Sequence, residues 1–195
     1  TSDGEFWKKQ RKLMQPAFHA KRIGAYADVM VDYARRELAS WSDKAEIDVD
    51  VAMTRTTMNV ITKTMFDTEV GDETREVGGA FSRLLLIVNE RAGRLFDLPH
   101  WIPTPENREI HKLVDQLKAI IQRFIDERKA AGADTGDLLS MLLAAQDDDG
   151  KRMTDEQIIN EMLTIFGAGH ETTSYTLTFA WYALSQNPDV REKLH

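Results

Sequence analysis

The sequence predicts a mainly α-helical protein of 195 residues. Apolar residues recur at three- and four-residue spacing through most of the chain, which is the pattern of amphipathic helices. Capping residues, prolines and glycines separate these segments where helix ends are expected. The alternation of apolar and polar residues that is typical of a half-buried strand occurs at "EIDVDVAM", residues 46–53. We therefore expect at most one short strand, near 46–50, in an otherwise helical fold.

Four helices are predicted in the first half of the chain, each with its own boundary signal. Ser2 and Asp3 are N-cap candidates for the first helix, and Pro16 stops it. The second helix is amphipathic, and the fourth contains the apolar run "FSRLLLIV". In chain order these helices cover about 3–14, 20–41, the residues from the strand to Phe66, and 73–91.

The second half begins with a proline-rich, aromatic connection, "LFDLPHWIPTPEN", which cannot be regular helix. Thr154 opens a long helix with a capping box in which Gln157 answers the threonine. Asn187 and Pro188 end that helix and begin another. In chain order the predicted elements are the connection over 95–107, helices over 106–131 and 137–145, a turn at "DDDGK", and the long helix over 154–186.

The composition is that of an ordinary globular protein, with 42% hydrophobic and 29% charged residues. A net charge of −7 argues against a nucleic-acid binder, because neutralising phosphates requires an excess of basic residues. No apolar run reaches the length of a membrane span. The sequence contains no cysteine, which removes disulfides, zinc thiolates and a cysteine nucleophile from this stretch.

One stretch of the long helix, "FGAGHETTSY" at residues 166–175, is poor helix-building material. Each glycine costs about 0.8–1 kcal/mol against alanine inside a helix. We expect Ala168, Gly169 and Thr172 to share a face that is thin enough for a flat, bulky group to approach. The Thr172 hydroxyl can compete for the Ala168 carbonyl and open the helix locally, and Glu171 supplies an exchangeable proton. A glycine-kinked packing helix with a surface glutamate also fits these residues.

Two metal-site patterns are incomplete in this region. His170 and Glu171 begin like a zinc-peptidase motif, but Ser174 stands where the second histidine is needed. The acidic segment "AQDDDGKRMTDE" resembles a calcium loop, but Ala145 occupies its first ligand position. We therefore expect no metal ligand from either segment.

The second informative stretch is "EFWKKQRKLMQPAFH", residues 5–19. Trp7 and Arg11 are four residues apart, so an indole N–H and a guanidinium share one helix face. Both groups are hydrogen-bond donors only, which suits a carboxylate or a phosphate. A solvent-facing basic helix with Trp7 packed in the core is the alternative interpretation.

Taken together, these two stretches resemble motifs of the cytochrome P450 family of haem-thiolate monooxygenases. "AGHETT" at 168–173 resembles the oxygen-binding signature of the family's long I helix, and "WKKQR" at 7–11 resembles the W-x-x-x-R motif of its C helix. Their order and the helices between them are also similar to the family. The resemblance implies a partial cytochrome P450 domain over 1–195, from the C helix to the start of the J helix.

The resemblance assigns roles to specific residues. Trp7 and Arg11 would hold a propionate of haem b, and Ala168 and Gly169 would lie over the haem where O2 binds. Thr172 would steady the bound oxygen, and Glu171 would relay protons for O–O cleavage. The implied reaction inserts one oxygen atom into a small apolar substrate, with a fatty acid or other lipid as our preference, and electrons come ultimately from NAD(P)H.

The resemblance also implies partners and a substrate channel. Lys8, Lys9 and Lys12 would form the docking face for an acidic electron-transfer partner, either a ferredoxin or a flavoprotein reductase. Phe81–Val88 and the 95–105 connection would roof the channel. We expect a soluble, cytoplasmic bacterial protein without a nucleic-acid partner, and the sequence leaves a membrane anchor on the parent protein open.

Two features of the family pattern are missing from this sequence. It contains neither the cysteine thiolate that holds the haem iron nor a Glu-x-x-Arg pair. We therefore expect an internal fragment that is inactive alone, with its metal ligand outside the chain. A non-redox helical module binding a small hydrophobic ligand is the alternative, and it predicts that Glu171 and Thr172 tolerate alanine. An isomerase or reductase of the same family is disfavoured because it needs no such proton-delivering pair.

Overall fold

The structure, a computed structural model, describes residues 3–69, 72–94, 98–99, 101–132, 135–147 and 149–194. Within these residues the chain is a bundle of α-helices with one short 3-10 turn. In order they are α1 (Gly4–Met14), the 3-10 turn (Gln15–Phe18), α2 (Ala20–Ala39), α3 (Val49–Phe66), α4 (Asp72–Ala92), α5 (Pro105–Ala131), α6 (Leu138–Ala144), α7 (Asp155–Gln186) and α8 (Pro188–Leu194). These bounds lie close to the predicted ones, so the mainly α prediction is confirmed.

The short strand that the alternation suggested near 46–50 does not form in the described part of the chain, which agrees with the expectation of at most one. Residues 46–48 carry no regular structure, and α3 already begins at Val49. The Asp48 side chain caps this helix by accepting a hydrogen bond from the Val51 backbone N–H at 3.2 Å. A strand also needs a neighbour to pair its backbone groups, and the described part of the chain provides none there. The capping signal therefore outweighs the alternating pattern.

The core forms where α7 crosses α3 and α5. α6 closes this core beneath α3 and α7, and α4 packs along α5. Burying each large apolar side chain contributes about 1.5–3 kcal/mol. The deepest side chains include Met65, Ile87, Leu117, Ile121, Ile125, Leu139, Leu142, Ile158, Met162 and Phe166.

Capping and buried polar contacts fix how these helices meet. The capping box predicted for α7 is present, with Thr154 and Gln157 exchanging hydrogen bonds at 2.8 and 3.2 Å. The Arg128 guanidinium on α5 donates to the Asp137 carboxylate at 2.6 Å and to the Phe66 carbonyl at 2.9 Å. One arginine thus ties the ends of α3, α5 and α6 together.

The described part of the α4–α5 connection is held by a buried Arg91–Asn107 contact. Arg91 donates to the Asn107 side-chain oxygen at 2.8 Å and to the Leu98 carbonyl at 2.9 Å. The Asn107 amide donates to the Pro99 and Ile102 carbonyls at 3.1 and 2.8 Å. The described residues from 98 to 104 are non-helical, as predicted.

None of the described helices is long and apolar enough to cross a bilayer.

Candidate functional site

The weakened turn lies at the middle of α7, and the structure forms one of its predicted contacts. The Thr172 hydroxyl donates a hydrogen bond to the Ala168 carbonyl. The backbone nevertheless stays helical from Asp155 to Gln186. The expected opening of the helix is therefore absent, because Thr172 bonds to a carbonyl without displacing the helix from its regular geometry.

A cavity of about 570 Å³ lies between this turn and α4. Its walls are mostly apolar, with Phe81 and Leu85 from α4 facing Gly167 and Ala168 of α7. The side chains of Glu171 and Thr172 lie on the same wall. Glu171 and Thr172, the predicted acid–hydroxyl pair, therefore line a mostly apolar chamber, which is open to solvent.

Gly167 allows α4 to approach α7 closely. A Cβ atom at this position would lie 2.3 Å from Phe81 Cε1, which is inside the contact distance of carbon atoms. The Phe81 ring also packs on Phe166, with ring centroids 5.4 Å apart. The absence of a side chain at Gly167 thus shapes one wall of the chamber.

Gly169 does not line this chamber, contrary to the face predicted for it with Ala168. A Cβ atom at Gly169 would meet Ile61 Cδ1 of α3 at 2.9 Å. Successive residues of a helix are rotated by about 100°, so Ala168 can face the chamber while Gly169 faces α3. The small size of Gly169 therefore lets α3 and α7 pack closely.

Trp7 and Arg11 lie together at a second cavity of about 950 Å³, between α1 and the first half of α7. The Arg11 guanidinium carbon is 5.3 Å from the centroid of the indole ring. Within the described residues, neither side chain has a hydrogen-bond partner. The opposite wall includes Glu161, and burial raises the pKa of its carboxyl.

The two cavities share Leu163 and Thr164 of α7 as lining residues. The two cavities therefore adjoin along α7, and we call them together the slot; the donor pair of α1 lies at one end and the acid–hydroxyl pair at the other. Buried in the wall of the second cavity, the Gln10 side-chain oxygen has no donor among the described residues. A buried acceptor without a partner indicates a site built to meet a further polar group.

Two residues of the α7 turn were given no role by the sequence. His170 is 2% exposed and stacks on Phe166, and neither ring nitrogen forms a hydrogen bond within the described residues. Burial lowers the pKa of His170, and the nearby Thr54 backbone and Glu171 only partly oppose this effect. Tyr175 lines the same chamber as Glu171, and its spacing of four residues from Glu171 could have indicated this.

The lysine face of α1 stays a prediction. Lys8 forms an exposed ion pair with Glu5, with 2.7 Å between Nζ and the carboxylate oxygen. Lys9 and Lys12 are exposed on the same helix. An exposed pair of this kind contributes little to stability.

Comparison with known proteins identifies the family. The cytochrome P450 family profile matches residues 1–195. Cyclooctatin synthase and cyclooctat-9-en-7-ol 5-monooxygenase, both of Streptomyces melanosporofaciens, are 37% and 33% identical to this chain, and each match covers 100% of the chain and 43% of the relative. Pentalenene oxygenase of Streptomyces avermitilis is 31% identical over 96% of the chain and 42% of its own length.

A solved structure shares the fold. Cyanobacterial CYP120A1 with retinoic acid bound superposes with a TM-score of 0.82 at 23% identity, covering 99% of this chain and 43% of that one. The chain therefore spans less than half the length of the relatives that it matches. Because the family profile matches the chain from end to end, the chain belongs to the cytochrome P450 family.

Proposed function

We propose that the protein containing this chain is a haem- and O2-dependent monooxygenase that inserts one oxygen atom into an apolar, lipid-like substrate. The observation that supports this most directly is the slot along α7, which has the hydrogen-bond donors Trp7 and Arg11 at one end and Glu171 with Thr172 in a mostly apolar cavity at the other. Membership of the cytochrome P450 family supplies the reaction class.

The donor chemistry of the slot fits a haem. Trp7 and Arg11 have side-chain N–H groups without a hydrogen-bond partner among the described residues, and such groups suit a propionate carboxylate. The adjoining cavity is lined by Gly167 and Ala168, which carry little or no side chain. When bound, haem supplies the activation of O2 and the transfer of oxygen to carbon. The thiolate ligand that the family requires comes from outside these 195 residues, since they include no cysteine.

The chain's own residues would control protons and water in the chamber. The Thr172 hydroxyl already donates its proton to the Ala168 carbonyl, so its oxygen is oriented to accept a hydrogen bond from the chamber. The Glu171 carboxyl can release and recover protons beside it. The side chains of Phe81 and Leu85 give the chamber an apolar wall, which favours an apolar substrate.

The substrate class is narrowed by the relatives together with the chamber. Streptomyces relatives are named for cyclooctat-9-en-7-ol and pentalenene, which by their names are a cyclic unsaturated alcohol and a cyclic alkene. We propose a cyclic lipid-like substrate on this basis, and the fatty acid favoured by the sequence is the alternative that an assay must separate. A panel of cyclic alkenes and long-chain fatty acids, offered to the same enzyme, distinguishes the two.

Electrons would come from NAD(P)H through a ferredoxin or a flavoprotein reductase docking near Lys9 and Lys12. A relative from Aspergillus oryzae, 32% identical over 97% of this chain, is named a bifunctional cytochrome P450/NADPH–P450 reductase. This supports a reductase as an electron source in the family. The lysine face supplies the positive charge that would speed encounter with an acidic partner.

Thr172→Ala in the full-length haem protein tests the proposed function. We expect NAD(P)H consumption to continue while the product formed per electron pair falls about tenfold or more and hydrogen peroxide accumulates. Thr176→Ala is the matched control, because the Thr176 hydroxyl also bonds to its own helix, at 2.7 Å from the Thr172 carbonyl, and does not line the chamber. Unchanged coupling in Thr172→Ala would remove this residue from the mechanism. Ligand binding without any electron-dependent product would favour a non-redox binding module.

A further inference from the structure

Tyr175 places a phenol on the wall of the chamber, one helical turn after Glu171. We propose that this phenol is a hydrogen-bonding subsite for an oxygen atom of the substrate, so that the preferred ligand is an apolar skeleton carrying a hydroxyl or carbonyl group. The inference rests on the proposed function of the chamber as the substrate site, and it adds the substrate's polar group and the residue that orients it.

The hydroxyl groups that line the chamber differ in whether they already donate a hydrogen bond within the protein. The Thr164 hydroxyl donates to the Asn160 carbonyl at 2.8 Å, and the Thr172 hydroxyl donates to the Ala168 carbonyl. The Tyr175 hydroxyl has no hydrogen-bond partner among the described residues. Among the described lining side chains, Tyr175 therefore presents the hydroxyl donor that is still available to a ligand.

Tyr33 shows the opposite arrangement, in which the tyrosine hydroxyl already has a partner within the protein. The Tyr33 hydroxyl donates to the Glu69 carboxylate at 2.7 Å, and burial together with that carboxylate raises the pKa of Tyr33 to about 12. That tyrosine is committed to a contact between α2 and the residues after α3. Tyr175 is half-exposed and makes no such contact, so its proton can serve the chamber.

The charge around Tyr175 selects the kind of oxygen that it can bind. A neutral phenol donates to an alcohol or carbonyl oxygen at ordinary hydrogen-bond strength. The Glu171 carboxylate lies on the same wall, four residues earlier, and would repel a carboxylate placed beside Tyr175. The geometry therefore favours a neutral oxygen function at this end of the chamber over the head group of a fatty acid.

The remaining wall is apolar and would surround the skeleton of such a ligand. Phe81, Leu85 and Leu163 offer carbon surface, and Gly167 and Ala168 keep the α7 side narrow. A ligand with one oxygen function can place its carbon skeleton against these residues while its oxygen accepts from Tyr175. A pure hydrocarbon of the same shape that covered the half-exposed phenol would displace water from it without replacing the hydrogen bond, which costs affinity.

Equilibrium binding to the full-length haem protein tests the inference without any need for electrons. The probes are cyclooctanol and cyclooctane, which differ by one hydroxyl group, and the dissociation constants are measured by titration calorimetry. Tyr175→Phe should weaken cyclooctanol binding about three- to tenfold and leave cyclooctane binding within about twofold of the wild type. Tyr182→Phe is the control, because Tyr182 is an exposed tyrosine of the same helix that does not line the chamber, and it should change neither constant.

Two results would overturn the subsite. One is an unchanged affinity for cyclooctanol in Tyr175→Phe, and the other is an equal loss for both probes, which would mean that the phenol acts through shape alone. A second measurement uses octanoate, whose affinity should not fall in Tyr175→Phe; a loss as large as that of the alcohol would contradict the argument from Glu171. An enzyme that oxygenates but shows no preference for the alcohol overturns this inference alone, whereas alcohol binding without oxygenation overturns the proposed function alone.

Discussion

Adding one methyl group at Gly167 should strain the contact between α4 and α7. The new Cβ atom would lie 2.3, 2.9 and 3.1 Å from three carbons of the Phe81 ring, whereas ordinary contacts begin at 3.4 Å. The worst contact is therefore short by 3.4 − 2.3 = 1.1 Å. The ring cannot retreat freely, because it packs on Phe166, which is 1% exposed.

The expected cost follows from two opposing terms. Overpacking of this kind costs about 1–3 kcal/mol. Replacing glycine by alanine inside a helix gains about 0.8–1 kcal/mol. Gly167→Ala should therefore lower the free energy of unfolding by about 0–2 kcal/mol, relative to the wild type, by these two terms.

Gly79→Ala is the matched control, because Gly79 lies inside α4 and a Cβ atom there would meet nothing within 4 Å. It should raise the free energy of unfolding by about 0.8–1 kcal/mol, so the two variants should differ by about 1–3 kcal/mol. Urea unfolding followed by circular dichroism measures both values. Equal stabilisation by the two substitutions would refute the close approach of Phe81 to Gly167. Adding Phe81→Leu to the Gly167→Ala variant should recover most of the loss, which a double-mutant cycle detects.

Two further changes test the donor pair and a partly buried ion pair. Arg11→Ala should speed haem loss to an excess of apomyoglobin about tenfold or more, because a charged donor to the propionate is removed, whereas Lys9→Ala on the same helix should not. The Arg55 hydrogen bonds at 2.5 and 2.8 Å hold the pKa of Glu37 below its ordinary value of 4.5, so this pair stabilises the fold above that pH and the contribution is lost as the pH falls through the lowered pKa. Glu37→Gln should cost about 1–3 kcal/mol at pH 7 and flatten the fall of the urea midpoint below about pH 4.5; an unchanged acid profile would contradict this assignment.

The helical fold could be predicted from the sequence because the patterns that indicate helices span only a few neighbouring residues. The period of the apolar residues is set by the helix itself, and the capping box of Thr154 and Gln157 is complete within four residues. The alternation near 46–50 does not produce a strand in the described part of the chain, because alternation over a few residues also fits an extended segment that leads into a capped helix. Asp48 favours the helix over the strand, because its side chain caps the first turn of α3. This role could be assigned only once the start of α3 was known.

The candidate site could be predicted only in part, because only some of its contacts lie within one helix. Trp7 with Arg11, and Thr172 with Ala168, are contacts within one helix, and regular helical spacing predicts them. The orientation of Gly169 toward Ile61 depends on how two helices far apart in sequence cross. That crossing is a tertiary contact, and no local pattern of α7 contains it.

The approach of Phe81 to Gly167 is another contact of this tertiary kind. From the sequence alone, the only expected effect of Gly167 is to lower the stability of the helix. In the structure, the missing side chain at Gly167 leaves space that the Phe81 ring of α4 occupies. The same substitution therefore has opposite signs at Gly79 and Gly167, although both lie in helix interiors.

The Arg91–Asn107 contact constrains how a ligand can enter the chamber. Four hydrogen bonds tie the carbonyls of Leu98, Pro99 and Ile102 to the end of α4 and the start of α5. A ligand that displaced α4 would therefore also strain the start of α5, and it would draw Phe81 away from Gly167, because this ring belongs to α4.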